Sequence, residues 1–332
     1  MMARTGQRGR AHRERLVGLL SNGPQRLSWR AFGRASWRTV VEFIEDDLPD
    51  RAATLTYYGI LSIFPGLLVL LAVIGLVGGP TARNLVIGLQ SLAVGPTEQV
   101  VNQSIESLKA DQRAAGIVAV VALLIAFWSA TGYVGAFRRA ANAIYDVPEG
   151  RPLWKTLPVQ LFVTLITGVF LALSALTVFL SGRLATAVGN SLGLKADTVR
   201  AYEVIKWPAL VIVFALVVAL LYWVAPNARH GFRWFSPGTA VATLVWIVVS
   251  GGFAYYIAHF DSYNRTYGAL GGIIVFLVWM WLTNVAVLLG AEFDAELARA
   301  KAIAAGLPPT AEPYMPMRDV PDQEDPEPAN LV

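Results

Sequence analysis

PVQLFVTLITGVFLALSALTVFLS, residues Pro158–Ser181, runs for 24 positions without an Asp, Glu, Lys, Arg or His. As a helix it would extend about 36 Å. That is enough to cross a hydrocarbon layer of about 30 Å. Five other stretches share the property: Tyr57–Gly79, Gly116–Phe137, Trp207–Ala225, Ser236–Ala258 and Leu270–Gly290. Lipid offers the backbone no hydrogen-bond partner, so spanning segments must be helices or closed barrels. The short alternating segments of a barrel are not seen. The expectation is an all-α, polytopic membrane protein with six transmembrane helices.

Composition points the same way. The 332 residues are 55% hydrophobic and 15% charged, where soluble domains carry about 25% charged residues. Cysteine is absent, which removes disulfides, thiolate metal sites and cysteine nucleophiles. The net charge of +4 is unevenly placed, with ten arginines and no lysine in residues 1–56. No apolar core follows the first arginines, so the N-terminus does not read as a secretory signal. With that end inside, the inner segments hold 19 of the 27 Lys and Arg residues. The positive-inside rule then places both termini in the cytoplasm. Residues 1–36 read as a basic, largely disordered tail that attracts the anionic headgroups of membrane lipids. Residues 37–300 read as the membrane domain, and 301–332 as an acidic, Pro-rich disordered tail.

Before the first span, Trp37, Val40, Val41, Ile44 and Leu48 recur at helical spacing, with Arg34, Arg38, Glu42, Glu45 and Asp46 on another face. This pattern predicts an amphipathic helix lying in the membrane interface. A second amphipathic piece is expected around Val101, Ile105 and Leu108. DDLPDRAATLTYYGILSIFPG, residues Asp46–Gly66, then crowds charge against the first span. Pro49 suits a first helical turn, and Asp47 or Asp50 suits its dipole. Capping alone could account for the aspartates. Arg51 could snorkel or pair inward. Topology brings Asp46, Asp47, Arg51, Arg138, Arg139, Glu292 and Asp294 to similar depth, which suggests a charge network at the inner membrane edge. Pro65 and Gly66 would kink the first span.

Four blocks carry a resemblance: DDLPDRAATLTYYGILSIFPGLL, SATGYVGAFRRAANAIYDVPEGRPLWK, RWFSPGTAVATLVW and FDSYNRTYGALGGIIVFLVWMWLTNVAVLLGAEFDAEL. In this order they resemble the YihY/BrkB family of bacterial inner-membrane proteins, over about Trp37–Arg299. The resemblance implies a bacterial inner-membrane protein with about six spans. An older label of the family is a ribonuclease; other members are linked to serum resistance or proposed as exporters of lipid-like molecules. The positions that match the family blocks are Asp47, Arg51, Tyr57 and Pro65; Gly132, Arg139, Asn142, Tyr145 and Arg151; and Tyr263, Asn264, Tyr267, Gly268, Gly271, Asn284, Gly290 and Glu292. The family supplies no agreed catalytic residues.

The chemistry is read on the residues themselves. His12, His230 and His259 fall in a tail, an inner segment and an outer span end, so they cannot gather with carboxylates as a hydrolytic metal centre would require. There is no phosphate-binding loop and no G-x-S-x-G. Nuclease activity is therefore the least favoured reading, with no catalytic residue, metal, cofactor or specific nucleic acid expected. A transporter would lack a mid-depth carboxylate relay. Its site would be built from hydroxyls, amides and aromatics, suited to an amphiphile whose headgroup is met at the membrane edge. Thr164, Thr167, Ser174 and Thr177 form one helical stripe, and Thr239 and Thr243 another. Such stripes either line a polar groove or let helices pack closely. Asn284 is a further candidate for the lining, or helix glue. Gly268 and Gly272 form a G-x-x-x-G that permits contact within the bundle or between copies of a homo-oligomer. Tyr263, Asn264 and Tyr267 are placed in an outer loop, the tyrosines in the aromatic belt. The favoured function is transport or handling of a lipid-like or amphiphilic molecule. The alternative is a non-transporting membrane scaffold.

Overall fold

Ser28 starts the first helix. Its Oγ accepts the Ala31 N–H at 3.2 Å, the usual way a helix start is satisfied. Helix α1 runs Trp29–Glu45, so the helical part begins inside the stretch expected as tail. Asp47, at φ +53°, turns the chain in a conformation that Asp tolerates better than most residues. Its carbonyl accepts the N–H groups of Asp50 and Arg51, and α2 follows as Leu48–Val77. This computed structural model describes residues 28–77, 112–191, 193–229, 234–259, 261–310 and 312–320. The amphipathic piece expected near Val101 lies outside them. Pro65 and Gly66 sit inside α2, which is helical on both sides of them; their side chains are not among those described.

Helix α3, Gln112–Ile144, ends where Asp146 takes φ +50°. Then come α4, Leu153–Phe179, the short α5, Arg183–Ser191, and α6, Ala196–Val224. Helix α7 is Pro237–His259 and α8 is Asp261–Ala304. Among the described residues there is no strand, and the β-pairing consists of one isolated bridge between Ala228 and Met317. Among the described residues, four helices are long and apolar enough to cross a membrane: α4, α6, α7 and α8. In their most apolar windows only 11–33% of residues are buried by protein. Phe162, Leu165, Val169, Ile212, Val248 and Ile274 are among the large side chains left exposed. Removing each such side chain from water is worth about 1.5–3 kcal/mol, so this belt is built for lipid.

Neighbour contacts run α2 to α3, α3 to α4, α4 to α6, α6 to α7, α7 to α8 and α8 back to α2. Six helices thus close a ring. α1 lies against α8 and α2, and α5 against α6. Leu48, Leu55, Phe137, Val163, Val218 and Leu288 form the centre of the core. Phe137 stacks parallel to Tyr222 with ring centroids 6.3 Å apart. At the α7–α8 crossing a Cβ added to Gly290 would lie 2.4 Å from the Gly238 carbonyl oxygen, and one on Gly238 only 2.1 Å from that of Gly290. Only glycine at both positions lets the two backbones touch.

Two expectations are corrected. Tyr263, Asn264 and Tyr267 belong to the first turns of α8 rather than to a loop. Asp261 and Ser262 favour a helix start, and the apolar pattern behind them carries the helix through. The 301–332 segment is not a tail throughout. α8 continues to Ala304, and Gly306 at φ +101° closes it in the manner of a C-terminal glycine. Leu307 and Tyr314 are then buried, and Met315 and Met317 pack on the core. Residues 312–320 form a strap. The Arg229 N–H donates to Pro316 O and the Arg318 N–H to Asn227 O, each at 2.7 Å. Apolar residues between the prolines anchor a segment whose composition alone reads as disordered.

Candidate functional site

Charge gathers at one end of the ring, where α1, the α3–α4 connection and the strap meet. On one side of it α1 is clasped to α8. Arg38 Nε donates to Glu296 Oε2 at 2.9 Å, and Arg38 also pairs with Glu42. Arg299 reaches Glu42 at 3.2 Å and Glu296 at 3.3 Å. Its guanidinium lies 4.5 Å from the Tyr314 ring centroid, which fastens the strap. Since α1 turns Ala35, Thr39, Arg38 and Glu42 inward, its apolar stripe is left bare: Trp37 is 70% exposed, with Val40 and Ile44 beside it.

The seven residues expected to form one charge network are joined only in part: Asp46 lies in the field of Arg51, Asp47 and Glu292, and Arg138 in that of Arg139. Arg51 Nε donates to the backbone carbonyl of Asp46 at 3.0 Å. Arg138 lies 3.5 Å from Glu149, and Arg139 is exposed. Asp294 Oδ1 accepts the Gly238 N–H at 2.8 Å. Asp47 serves the α2 start through its carbonyl. Glu292 is only 2% exposed, and its Oε2 has no hydrogen-bond partner. The ion pairs at this end join Arg38, Glu42, Glu296 and Arg299, and Arg138 with Glu149. Position decides this: α1 presents Arg38 and Glu42 to α8 first, and the α3–α4 connection presents Glu149 to Arg138.

The candidate lining residues are also dispersed. Thr164 Oγ1 donates to Gln160 O, Ser174 Oγ to Phe170 O, Thr177 Oγ1 to Leu173 O and Thr243 Oγ1 to Thr239 O. Each hydroxyl therefore folds back on its own helix. Thr239 Oγ1 meets Ser236 Oγ at 2.9 Å. Thr167 Oγ1 is buried without a partner. Asn284 joins three helices: Tyr133 Oη donates to its Oδ1 at 2.8 Å, and its Nδ2 donates to Thr56 Oγ1 at 3.0 Å.

On the other side of the charged end, α3, α4, the end of α6 and the strap enclose a cleft of about 360 Å³. Val134, Val159 and Val163 form its apolar wall, and Arg138, Arg151, Lys155 and Arg318 its rim. Arg151, Arg318 and Lys155 are positioned by contacts between distant parts of the chain. Arg151 follows the Pro-Glu-Gly turn; its Nε donates to Glu149 Oε1 at 2.8 Å, and Nη2 caps the Ala225 carbonyl at 2.7 Å. Arg318 Nε donates to Ala228 O at 3.1 Å, and Nη2 donates to Trp223 O. Together they satisfy the carbonyls that α6 leaves open at its end. Lys155 Nζ meets Asp319 at 3.0 Å and lies 5.3 Å from the Trp154 ring centroid. Arg138 Nε is buried without a hydrogen-bond partner. Asn142 and Asn227 brace the floor: the Asn227 N–H donates to Asn142 Oδ1 at 2.7 Å, and Asn227 Nδ2 donates to Pro148 O and Asp319 O, each at 2.8 Å.

Four cations face two carboxylates, Glu149 and Asp319. Burial raises the Glu149 carboxyl, but hydrogen bonds from Arg151 and Asn142 outweigh it and hold its pKa below the usual value. Burial, with Arg151 and Arg229 nearby, pushes the Arg318 guanidinium down. The sequence reading missed Lys155, Glu149, Arg318 and Asp319 as site residues. The available signal was MPMRDV, where apolar residues and a lone arginine interrupt the acidic tail. Among the described residues, no three His, Cys, Asp or Glu side chains are arranged to hold a metal ion.

The family model described as "Virulence factor BrkB" matches residues 39–313, which covers the ring, α1 from Thr39 onward and the start of the strap. The chain belongs to the BrkB family. This BrkB-family chain is 30% identical over 277 residues to "Putative ribonuclease-like protein YfkH" of Bacillus subtilis (strain 168), covering 80% of this chain and 93% of that one. It is 31% identical over 271 residues to a "UPF0761 membrane protein" of Alkalilimnicola ehrlichii, covering 77% and 56%. A third relative, the "UPF0761 membrane protein PSHAa0171" of Pseudoalteromonas translucida, is 28% identical over 260 residues, covering 76% and 82%. No solved structure matches.

Proposed function

We propose that this BrkB-family protein transports or handles a lipid-like, amphiphilic molecule. In this reading α2, α3, α4, α6, α7 and α8 are six spans of a bacterial inner membrane, α1 lies in the interface, and both termini face the cytoplasm. The bare stripe of Trp37, Val40 and Ile44 supports the interfacial helix, because an apolar face turned from protein seeks the headgroup–acyl boundary. One observation carries the functional reading: the cleft joins a cationic rim to a valine wall, beside the exposed apolar face of α4. A headgroup and an acyl chain would find their own surroundings within one ligand length. The membrane names of the relatives and the lipid-export proposal made for other family members support it further.

The test is reconstitution. Proteoliposomes holding the parent should move fluorescently labelled lipid between leaflets faster than protein-free vesicles, and Arg138→Gln should slow this by about ten-fold. Equal rates with and without protein would sink the transport reading. The scaffold reading is favoured by one feature, the three-helix knot at Asn284, which holds helices together and opens to no described cleft. Ribonuclease activity takes its support from names: that of the Bacillus relative and the family's older label. RNA incubated with purified protein, with and without divalent metal, should stay intact.

A further inference from the structure

The cleft has features that a site for a generic amphiphile would not need. Its cations outnumber its carboxylates four to two. Arg151 and Arg318 are committed to the carbonyls of α6, so they lend field rather than free donors. Arg138 and Lys155 differ. The Arg138 Nε is buried and makes no hydrogen bond, with its nearest carboxylate, Glu149, at 3.5 Å, so an anion that came closer would gain a donor. The Lys155–Asp319 pair is 42% and 33% exposed, and pairs of that kind are worth about 0–1 kcal/mol. An incoming anion could therefore take Lys155 from Asp319 at little cost. α4 begins at this spot with Pro152 as its cap and no side-chain cap bond, so the positive end of its dipole is not offset by a side chain.

We infer that the cleft is a binding site for the phosphate of an anionic phospholipid. Arg138 and Lys155 hold the phosphate oxygens, Arg151 and Arg318 supply the surrounding positive field, and an acyl chain lies along Val134, Val159 and Val163. Guanidinium and ammonium groups are the natural partners of phosphate. The volume lies at the small end of ligand sites, about 300–1,000 Å³, which suits a headgroup and the first carbons of a chain. A zwitterionic headgroup would bring its own cation into a rim already overcharged, so it is disfavoured. The valine wall favours a lipid over a soluble phosphate ester. This inference rests on the amphiphile reading above, but it concerns binding and is tested without any transport measurement.

Purified full-length protein in detergent is titrated with short-chain phosphatidylglycerol, phosphatidylcholine or glycerol 3-phosphate, and binding is followed by native mass spectrometry. The parent should take phosphatidylglycerol at least about ten-fold more tightly than phosphatidylcholine. Arg138→Gln with Lys155→Gln should bring the two lipids to equal affinity while the melting temperature stays near that of the parent. Asp319→Asn, which removes the competing carboxylate, should tighten phosphatidylglycerol binding by about two- to five-fold. Equal affinity of the parent for both lipids would overturn the inference. So would phosphatidylglycerol preference surviving in the double variant, or glycerol 3-phosphate binding as tightly as the lipid. If lipid binding follows the expected pattern while vesicle transport fails, the site stands and the transport reading falls.

Discussion

Two seams close the charged end of the ring, and they are built in opposite ways. At the α7–α8 seam, Gly238 and Gly290 bring the backbones into contact, and Asp294 accepts a main-chain N–H across the crossing. At the α3–α4 seam, Gln160 reaches across to the Thr131 carbonyl, and below it the helices stand apart around the cleft. The first seam is sealed by small residues; the second is held open by long cationic ones. Charge density alone does not tell the two apart. What differs is how closely the carboxylates are engaged: Glu296 and Asp294 accept at 2.9 and 2.8 Å, while Arg138 Nε stands 3.5 Å from Glu149.

The sealed seam should be the more fragile. Gly290→Val would drive a side chain into the Gly238 carbonyl and the Tyr222 hydroxyl. Overpacking of this kind costs about 3 kcal/mol. We expect most of the protein to be lost from the monodisperse peak in fluorescence-detected size exclusion. Recovery equal to the parent would show that the crossing can spread. Next in size, Asn284→Leu leaves Tyr133 Oη without its acceptor. A loss of about 1–2 kcal/mol follows, read as a lower unfolding temperature in detergent.

At the open seam, effects on stability should be small. Arg138→Gln removes a partly buried cation whose Nε has no hydrogen-bond partner. We expect stability to change by less than about 0.5 kcal/mol, in contrast with its effect on lipid. A large drop in unfolding temperature would make Arg138 a structural residue and erase the contrast. The smallest effect is set by pH. Partial burial, with Glu312, Asp46, Glu42 and Glu296 nearby, raises the Asp146 carboxyl to about 6. A raised pKa means the fold favours the protonated acid, so its contribution is full below about pH 4 and is lost as pH rises through about 6. Asp146→Asn should therefore raise the unfolding temperature slightly at pH 7.5 and leave it unchanged at pH 4.

Much of the ring was legible because lipid leaves little choice. A run such as Pro158–Ser181 can only be a helix if it meets hydrocarbon, and helices α4, α6, α7 and α8 cover the four later stretches. α1 was legible from its periodicity, though which of its faces would be bare was not, because Arg38 and Glu42 find partners only once α8 is beside them. The ion pairs of α1 and α8 were not legible for the same reason: depth follows from hydropathy, but pairing depends on azimuth around each helix. The strap was hidden by composition. Its prolines and acids read as disorder, and the buried Leu307 and Tyr314 gave too weak a pattern against them. The cleft was legible only in fragments, Arg138 and Arg151 among them, since its rim comes from positions 138, 151, 155 and 318.

That last separation has a practical corollary. A stop codon after Leu307 would appear to trim a dispensable end, yet it would delete Arg318 and Asp319 and leave Asn227 without three of its hydrogen bonds. Chemically, such a truncation is a core mutation. Peripheral editing of this chain would reach the cleft between α3 and α4.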